Sequence, residues 1–225
     1  MSPNRRTAAL AGTLFLVTEV AAIGGLALYQ PLLDGAPGTL APGAGTSALL
    51  GALCELVLVA AVIGTGAALF PVVRRRHEGV AVGYLCLRLL EAVVITVGIL
   101  GVLTLLTLRQ DAAGAAAVVG DAGADRALVA LHDWTFLLGP NVALGLNTAL
   151  LAYLMFRTRL VPRPIAVLGL IGGPLICVSA AAVAAGLYEQ VSVAGSAAAL
   201  PVFAWELALA ARLLTKGFDP ARAAA

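Results

Sequence analysis

The sequence predicts an all-α integral membrane bundle of six transmembrane helices with both termini cytoplasmic. Three observations carry this. Hydrophobic residues make up 61% of the chain and charged residues 12%, where an average soluble domain has roughly 45–50% and 25%, and mean hydropathy is +1.00. Six apolar runs each reach the roughly 20 residues needed to cross a bilayer. Basic residues gather at alternate connections, which sets the orientation by the positive-inside rule.

The runs take up most of residues 1–225 as a single transmembrane domain. The first, 8–29, follows Arg5 and Arg6. Its apolar stretch exceeds the roughly 7–15 residues of a signal-peptide core, and no convincing cleavage site follows, so it reads as a retained helix. Residues 30–47 form a Gly- and Pro-rich outer loop without a basic residue. The second run, 48–73, ends at Arg74, Arg75 and Arg76, and the short turn 74–79 keeps it beside the third, 80–108. Residues 109–126 read as an outer loop of Ala, Gly and Asp, part of it a short surface helix. The fourth run, 127–156, leads through a tight inner turn at 157–164, stiffened by Pro162 and Pro164, into the fifth, 165–188, and then the sixth, 193–214. Pro140, Pro174 and Pro201 should kink their helices. Glycines such as Gly64/Gly66, Gly98/Gly101 and Gly169/Gly172/Gly173 should let helices approach closely.

Charge placement supports the span count. Arg5, Arg6, Arg74–Arg76, Arg157, Arg159, Arg163, Arg212, Lys216 and Arg222 fall on one side. The other side holds Arg109 and Arg126 with Asp34, Asp111, Asp121, Asp125 and Glu189. Thirteen Arg against one Lys, with abundant Ala, suggests a GC-rich bacterial genome and hence a bacterial cytoplasmic (inner) membrane. Cys54, Cys86 and Cys177, odd in number and scattered through apolar runs, suggest neither a disulfide framework nor a metal site.

The informative residues are ionisable groups inside the spans: Glu19, Glu55, Arg88, Glu91, His132, Asp133 and Glu206, with Asn141 nearby. A charge at the bilayer centre costs roughly 2.5–3.5 kcal/mol on insertion scales. Four or five unpaired would cost on the order of 10–15 kcal/mol, comparable to a whole protein's stability. They must be paired, protonated, hydrated or turned toward the bundle interior. Arg88 and Glu91 have the i,i+3 spacing of one helix face, with Tyr84 one turn before. Asp133, Pro140 and Asn147 recur every seven residues on the fourth run, a pattern that also suits interhelical hydrogen bonding. His132 is a proton carrier, a metal ligand or a partner for a carboxylate; its place near the outer interface favours the last. One Arg cannot neutralise five carboxyls, so the surplus stays protonated or binds something positive. The expected arrangement is a common interior space for Glu55, Glu91, Asp133 and Glu206, with Glu19 joining them, His132 at the outer rim and Arg88 at the inner side.

Zinc-protease, CxxC, nucleophile-elbow and phosphate-loop motifs are absent. A single intramembrane His argues against a His-rich zinc site, and without an ExxH pair a bundle di-iron site is not expected. No metal set and no cofactor is indicated, and the membrane context excludes nucleic acid as a partner.

Several stretches carry a resemblance. They are Leu69-Phe-Pro-Val-Val-Arg-Arg-Arg-His-Glu-Gly79, Arg88-Leu-Leu-Glu91, Leu131-His-Asp-Trp-Thr-Phe-Leu-Leu-Gly-Pro140, Gly186-Leu-Tyr-Glu-Gln190 and Leu200-Pro-Val-Phe-Ala-Trp-Glu206. Together they resemble a bacterial family of polytopic membrane proteins, domain of unknown function 4386, from the first helix to Phe218. The resemblance implies a six-helix inner-membrane fold and no particular reaction.

Three functions compete. The first is a binding or transport protein whose acidic cluster takes a proton, a cation or a cationic small molecule. Six helices are few for a secondary transporter, so a homodimer would go with it. The second is a sensor or assembly protein whose buried charges only fix helix packing. The third is an intramembrane enzyme acting on a lipid-like or apolar substrate, with His132 and Asp133 as an acid/base pair beside Trp134. The lipid bilayer is a partner in all three.

Overall fold

The computed structural model describes residues 3–114 and 122–219. Asp121 and Arg222, counted above in the charge distribution, lie outside the described residues. The described chain is helical, with α1 (Pro3–Leu33), α2 (Ala44–Arg74), α3 (Glu78–Gly114), α4 (Ala122–Phe136), α5 (Leu144–Thr158), α6 (Arg163–Ala184) and α7 (Val193–Thr215). Six helical spans are long and apolar enough to cross a membrane, the fourth being α4 and α5 joined by a π-helical segment, Leu137–Ala143. This is a multi-pass membrane protein.

Local sequence explains the element ends. Pro140 lacks a backbone N–H and would clash in an unbroken α-helix. The chain accommodates it by winding Leu137–Ala143 as a π-helix. The Cys177 thiol on α6 donates to the Val142 carbonyl in this segment at 3.7 Å. Helix α5 ends at Arg159, whose φ of 56° is left-handed. Ser192 caps α7, its hydroxyl accepting from the Gly195 amide at 3.1 Å.

Several boundaries differ from expectation. The expected outer loops are shorter: α1 runs on to Leu33 and α2 begins at Ala44, while 109–126 is helical at both ends, because α3 continues to Gly114 and α4 begins at Ala122. A side-chain pair, described below, ties the α3 and α4 extensions together. Helix α6 stops at Ala184, not near Tyr188: Gly186 turns left-handed (φ 74°), and the Tyr188 hydroxyl folds back to donate to Ser179 at 2.8 Å.

The spans form a closed ring. Each packs on its neighbours in sequence, and α1 returns to α7. Arg5 fastens that closure: it donates to the Leu213 carbonyl at 2.6 Å and to those of Leu214 and Thr215, satisfying the open end of α7. Small residues set the spacing. A Cβ on Gly172 would lie 2.6 Å from the Val202 amide nitrogen, so α6 and α7 touch backbone to backbone there. Lipid tails are as apolar as Leu, so such close packing drives association where the hydrophobic effect cannot. The outward surface is correspondingly apolar, with Val20, Val178 and Leu100 among the exposed residues.

Apolar packing divides into two layers. At the end bearing the termini, Phe15, Leu69, Tyr84, Met155, Trp205 and Leu213 draw residues from α1, α2, α3, α5, α6 and α7 into one cluster. Toward the other end, Tyr29, Leu32, Ala52, Val62, Ile99 and Leu105 belong only to α1, α2 and α3. No buried residue of α6 or α7 joins that second cluster. The cluster that draws on six helices thus lies toward the terminus-bearing end, and at the opposite end a cleft opens beside α1 and α4.

Candidate functional site: two buried polar layers beneath an acidic cleft

The first layer centres on Arg88, which is 2% exposed. Its guanidinium donates to Glu91 at 3.2 Å, to Glu206 on α7 at 3.0 Å and to the Tyr84 hydroxyl at 3.2 Å. It also lies over the rings of Phe15 and Tyr84, 5.4 and 5.6 Å from their centroids. Asn147 on α5 donates its amide to Glu91 at 2.7 Å. Glu19, half-buried on α1, sits with its carboxyl against that of Glu206. One cation thus holds two carboxylates directly and a third through its neighbour, across α1, α3, α5 and α7. A buried charge of this kind is tolerable only when its donors are matched, and all three nitrogens of Arg88 have acceptors.

The second layer lies farther from the termini. Glu55 on α2 (8% exposed), His132 on α4 (5% exposed), Ile95, Gly98, Thr135, Phe136 and Pro140 line a small space of about 10 Å³, room for one water at most. The Tyr29 hydroxyl on α1 faces the Glu55 carboxyl without completing a hydrogen bond, and the Tyr29 ring meets His132 edge-on at 5.5 Å. The Phe136 ring lies nearly parallel to His132, with centroids 6.2 Å apart. This layer is unsatisfied: Tyr29 Oη and His132 Nδ1 are both buried with no partner. Buried polar atoms without partners are rare in native proteins and call for a physical explanation. Gly98 keeps the space open, since a Cβ there would meet Thr135 Oγ1 at 2.7 Å.

Above His132 opens a cleft of about 700 Å³ between α1, α4, the end of α6 and the turn that follows it. Asp34, Asp133 and Glu189 are exposed along it, with Trp134 (52% exposed), Phe136, Leu26 and Leu33 as its apolar and aromatic wall. His132 lines both this cleft and the small cavity beneath. Gln190 also lines it, and its Nε2 is buried without a partner. No Lys or Arg is among its lining residues. A smaller space of about 180 Å³, lined by Asn141, Ser179 and Ser196 among others, adjoins it through Leu26, Phe136 and Gln190.

The seven ionisable residues singled out from the sequence therefore separate. Glu19, Arg88, Glu91 and Glu206 meet in one network. Glu55 pairs with the His132 layer instead, because it lies several turns nearer the opposite end. Asp133 joins neither: it is exposed to the cleft, and no hydrogen bond among the described residues joins it to His132, its immediate neighbour on the helix. Successive helical residues point about 100° apart, so one enters the bundle and the other does not. Asn141 is half-buried at the smaller space, away from both layers.

Sequence reasoning missed one charged pair altogether. Arg109 and Asp125, taken as outer-loop charges, are 2% and 5% exposed. The Arg109 guanidinium grips Asp125 with two bonds, 2.9 and 2.7 Å, and donates to the carbonyls of Leu32 and, at 3.3 Å, Gly35. It thereby joins α3, α4 and the end of α1. Their separation of sixteen residues across a Gly- and Ala-rich stretch gave no periodic signal. Among the described residues no group of three or more His, Cys, Asp or Glu is arranged to hold a metal ion.

No curated protein matches the chain, and neither does any solved structure. A family model does, over residues 10–217, which take in both polar layers, the cleft and the closure of α1 on α7. The chain belongs to the family described as domain of unknown function 4386.

Proposed function

We propose that the protein is a membrane-embedded binding or transport protein for a small organic cation, taken up in the cleft opposite the termini. The observation that carries this is the cleft's chemistry: three carboxylates, an exposed Trp and no Lys or Arg among the lining residues. Its volume, about 700 Å³, falls in the range of small-molecule sites. Carboxylates around an open mouth raise the local concentration of cations. An exposed indole face attracts them further, most effectively when the cation is weakly hydrated, as a quaternary ammonium is. The buried donor of Gln190 adds a contact for an acceptor on the ligand.

The membrane is taken to be a bacterial cytoplasmic membrane with both termini inside. Arg5, Arg6, Arg74, Arg75, Arg76, Arg157, Arg159, Arg163, Arg212 and Lys216 at the terminus-bearing end support that orientation. The cleft then faces outward. A homodimer accompanies the transport form of the reading.

A second reading holds for the Arg88 network. The guanidinium is fully matched to acceptors, which favours a structural role in locking four helices. Asn147 Oδ1 of that network is buried without a partner, so the structural role rests on the matched guanidinium alone, and the function proposed above rests on the cleft.

The test uses purified protein in nanodiscs and benzyltrimethylammonium as probe. Trp134 fluorescence should change saturably, while Trp205, 1% exposed, stays silent. Asp34→Asn with Asp133→Asn should weaken binding about tenfold, as expected for losing two partly exposed ion contacts. The uncharged isostere neopentylbenzene should not compete. Equal binding of the two probes, or no saturable change, would overturn the proposal.

A further inference from the structure

We propose that Glu55 is a buried proton-binding site and that His132 is the link through which it exchanges protons with the acidic cleft. This goes beyond cation binding and stands without it. The geometry carries it. His132 is 5% exposed, and its Nδ1 has no partner. Its ring lines the open cleft and also the cavity of about 10 Å³ that it shares with Glu55. A cavity of that size admits one water, which can bridge the imidazole and the carboxylate. A neutral imidazole has one donor and one acceptor nitrogen, so it can take a proton at one and release another at the other.

The step balances. A proton from cleft water adds to one ring nitrogen. The proton on the other nitrogen passes through the bridging water to a Glu55 oxygen. The imidazole ends neutral as it began, and the carboxylate becomes a carboxylic acid. The reverse sequence empties the site.

The surroundings suit a relay. From α1 the facing titratable group is the Tyr29 phenol, with Cys54 of α2 close to it. From α2 it is Glu55 itself. Helix α3 presents only Ile95 and Gly98 to the cavity. On the cleft side stand Asp133, Asp34 and Glu189, which attract protons to the mouth. No Arg or Lys lines the cavity or the cleft to oppose a proton's entry. The Tyr29 ring meets the imidazole edge-on and the Phe136 ring lies nearly parallel to it.

The experiment is infrared difference spectroscopy of the full chain in nanodiscs after a pH jump, with no organic cation present. Wild type should show a carboxylic acid C=O band that responds to pH and disappears in Glu55→Gln. His132→Phe keeps the ring packing and should retain that band while slowing its exchange by about tenfold or more, since it removes a positioned proton carrier. PH-responsive bands identical in wild type and Glu55→Gln would overturn the proposal, as would exchange in His132→Phe as fast as in wild type. Should His132→Phe fail to fold, Gly98→Ala takes its place: it crowds Thr135 into the cavity and leaves both titratable groups intact. Unchanged exchange in Gly98→Ala then counts against the relay. Failure of benzyltrimethylammonium to bind would leave these results untouched.

Discussion

Arg88 on α3 and Glu206 on α7 meet at 3.0 Å although 118 residues separate them in sequence. The contact converts a helix-surface pair, Arg88 and Glu91, into a tie across the bundle. It also sets what removal of the cation must do, because Glu206 and Glu91 both lose their buried counter-charge and Glu91 keeps only the Asn147 amide.

Arg88→Ala is expected to destabilise the protein by about 3–5 kcal/mol, the usual cost of stranding a buried charge. Adding Glu91→Gln should recover part of the loss, and adding Glu206→Gln as well should recover more. Unfolding in a graded detergent series measures this. Strictly additive losses along the series would show that the three residues do not act together.

Arg109→Ala should loosen the end of the bundle opposite the termini, since it frees Asp125 and the carbonyls of Leu32 and Gly35. Destabilisation of about 3–5 kcal/mol is expected, with faster proteolysis in residues 34–43. Arg109→Lys should rescue poorly, because an ammonium cannot reproduce the two-pronged bond to Asp125 and still reach both carbonyls. Full rescue by Lys would mean that charge alone matters there.

Gly172→Ala tests one of the close backbone contacts between helices, that of α6 with α7. The added methyl would sit 2.6 Å from the Val202 nitrogen, where backbone cannot yield as a side chain does. Overpacking of this kind costs about 1–3 kcal/mol. Thermal unfolding by differential scanning fluorimetry should show the loss, and Ala at Gly186, which has open space but a φ of 74°, offers a contrast due to backbone strain alone.

Orientation has its own check. With Cys54, Cys86 and Cys177 replaced by Ala, a Cys placed at exposed Thr39 should react with a membrane-impermeant maleimide in intact cells, and one at exposed Arg75 should react only after lysis. The opposite pattern would place the cleft inside.

The six spans were legible because crossing a bilayer demands length and apolarity, properties that any window of the chain displays. Arg88, Glu91 and Tyr84 were legible as one face because helical spacing is local. Glu206 and Asn147 were visible as polar residues, but their partner was not, since nothing on α5 or α7 encodes which neighbour they will face. The division of Glu55 from Glu91 turned on relative depth, which depends on where each helix begins, the least certain feature of any sequence reading. Arg109 and Asp125 were hidden for the same reason: helices that outlast the apolar run carry their polar ends into contact, and hydropathy does not record it. Asp133 shows the converse, a charged residue inside a span that faces the open cleft and joins neither buried layer.

The π-helical stretch between His132 and Asn147 acts as a phase setter. A π turn houses one residue more than an α turn, and each residue advances a helix by about 100°. His132 before the stretch faces Tyr29, while Asn147 after it faces Glu91. With an uninterrupted α winding the same residues would be out of step by roughly a quarter turn or more. Deleting a single residue within 137–143 would therefore let only one of the two layers find its partners at a time. The stretch thereby sets the rotational phase at which one span serves both layers.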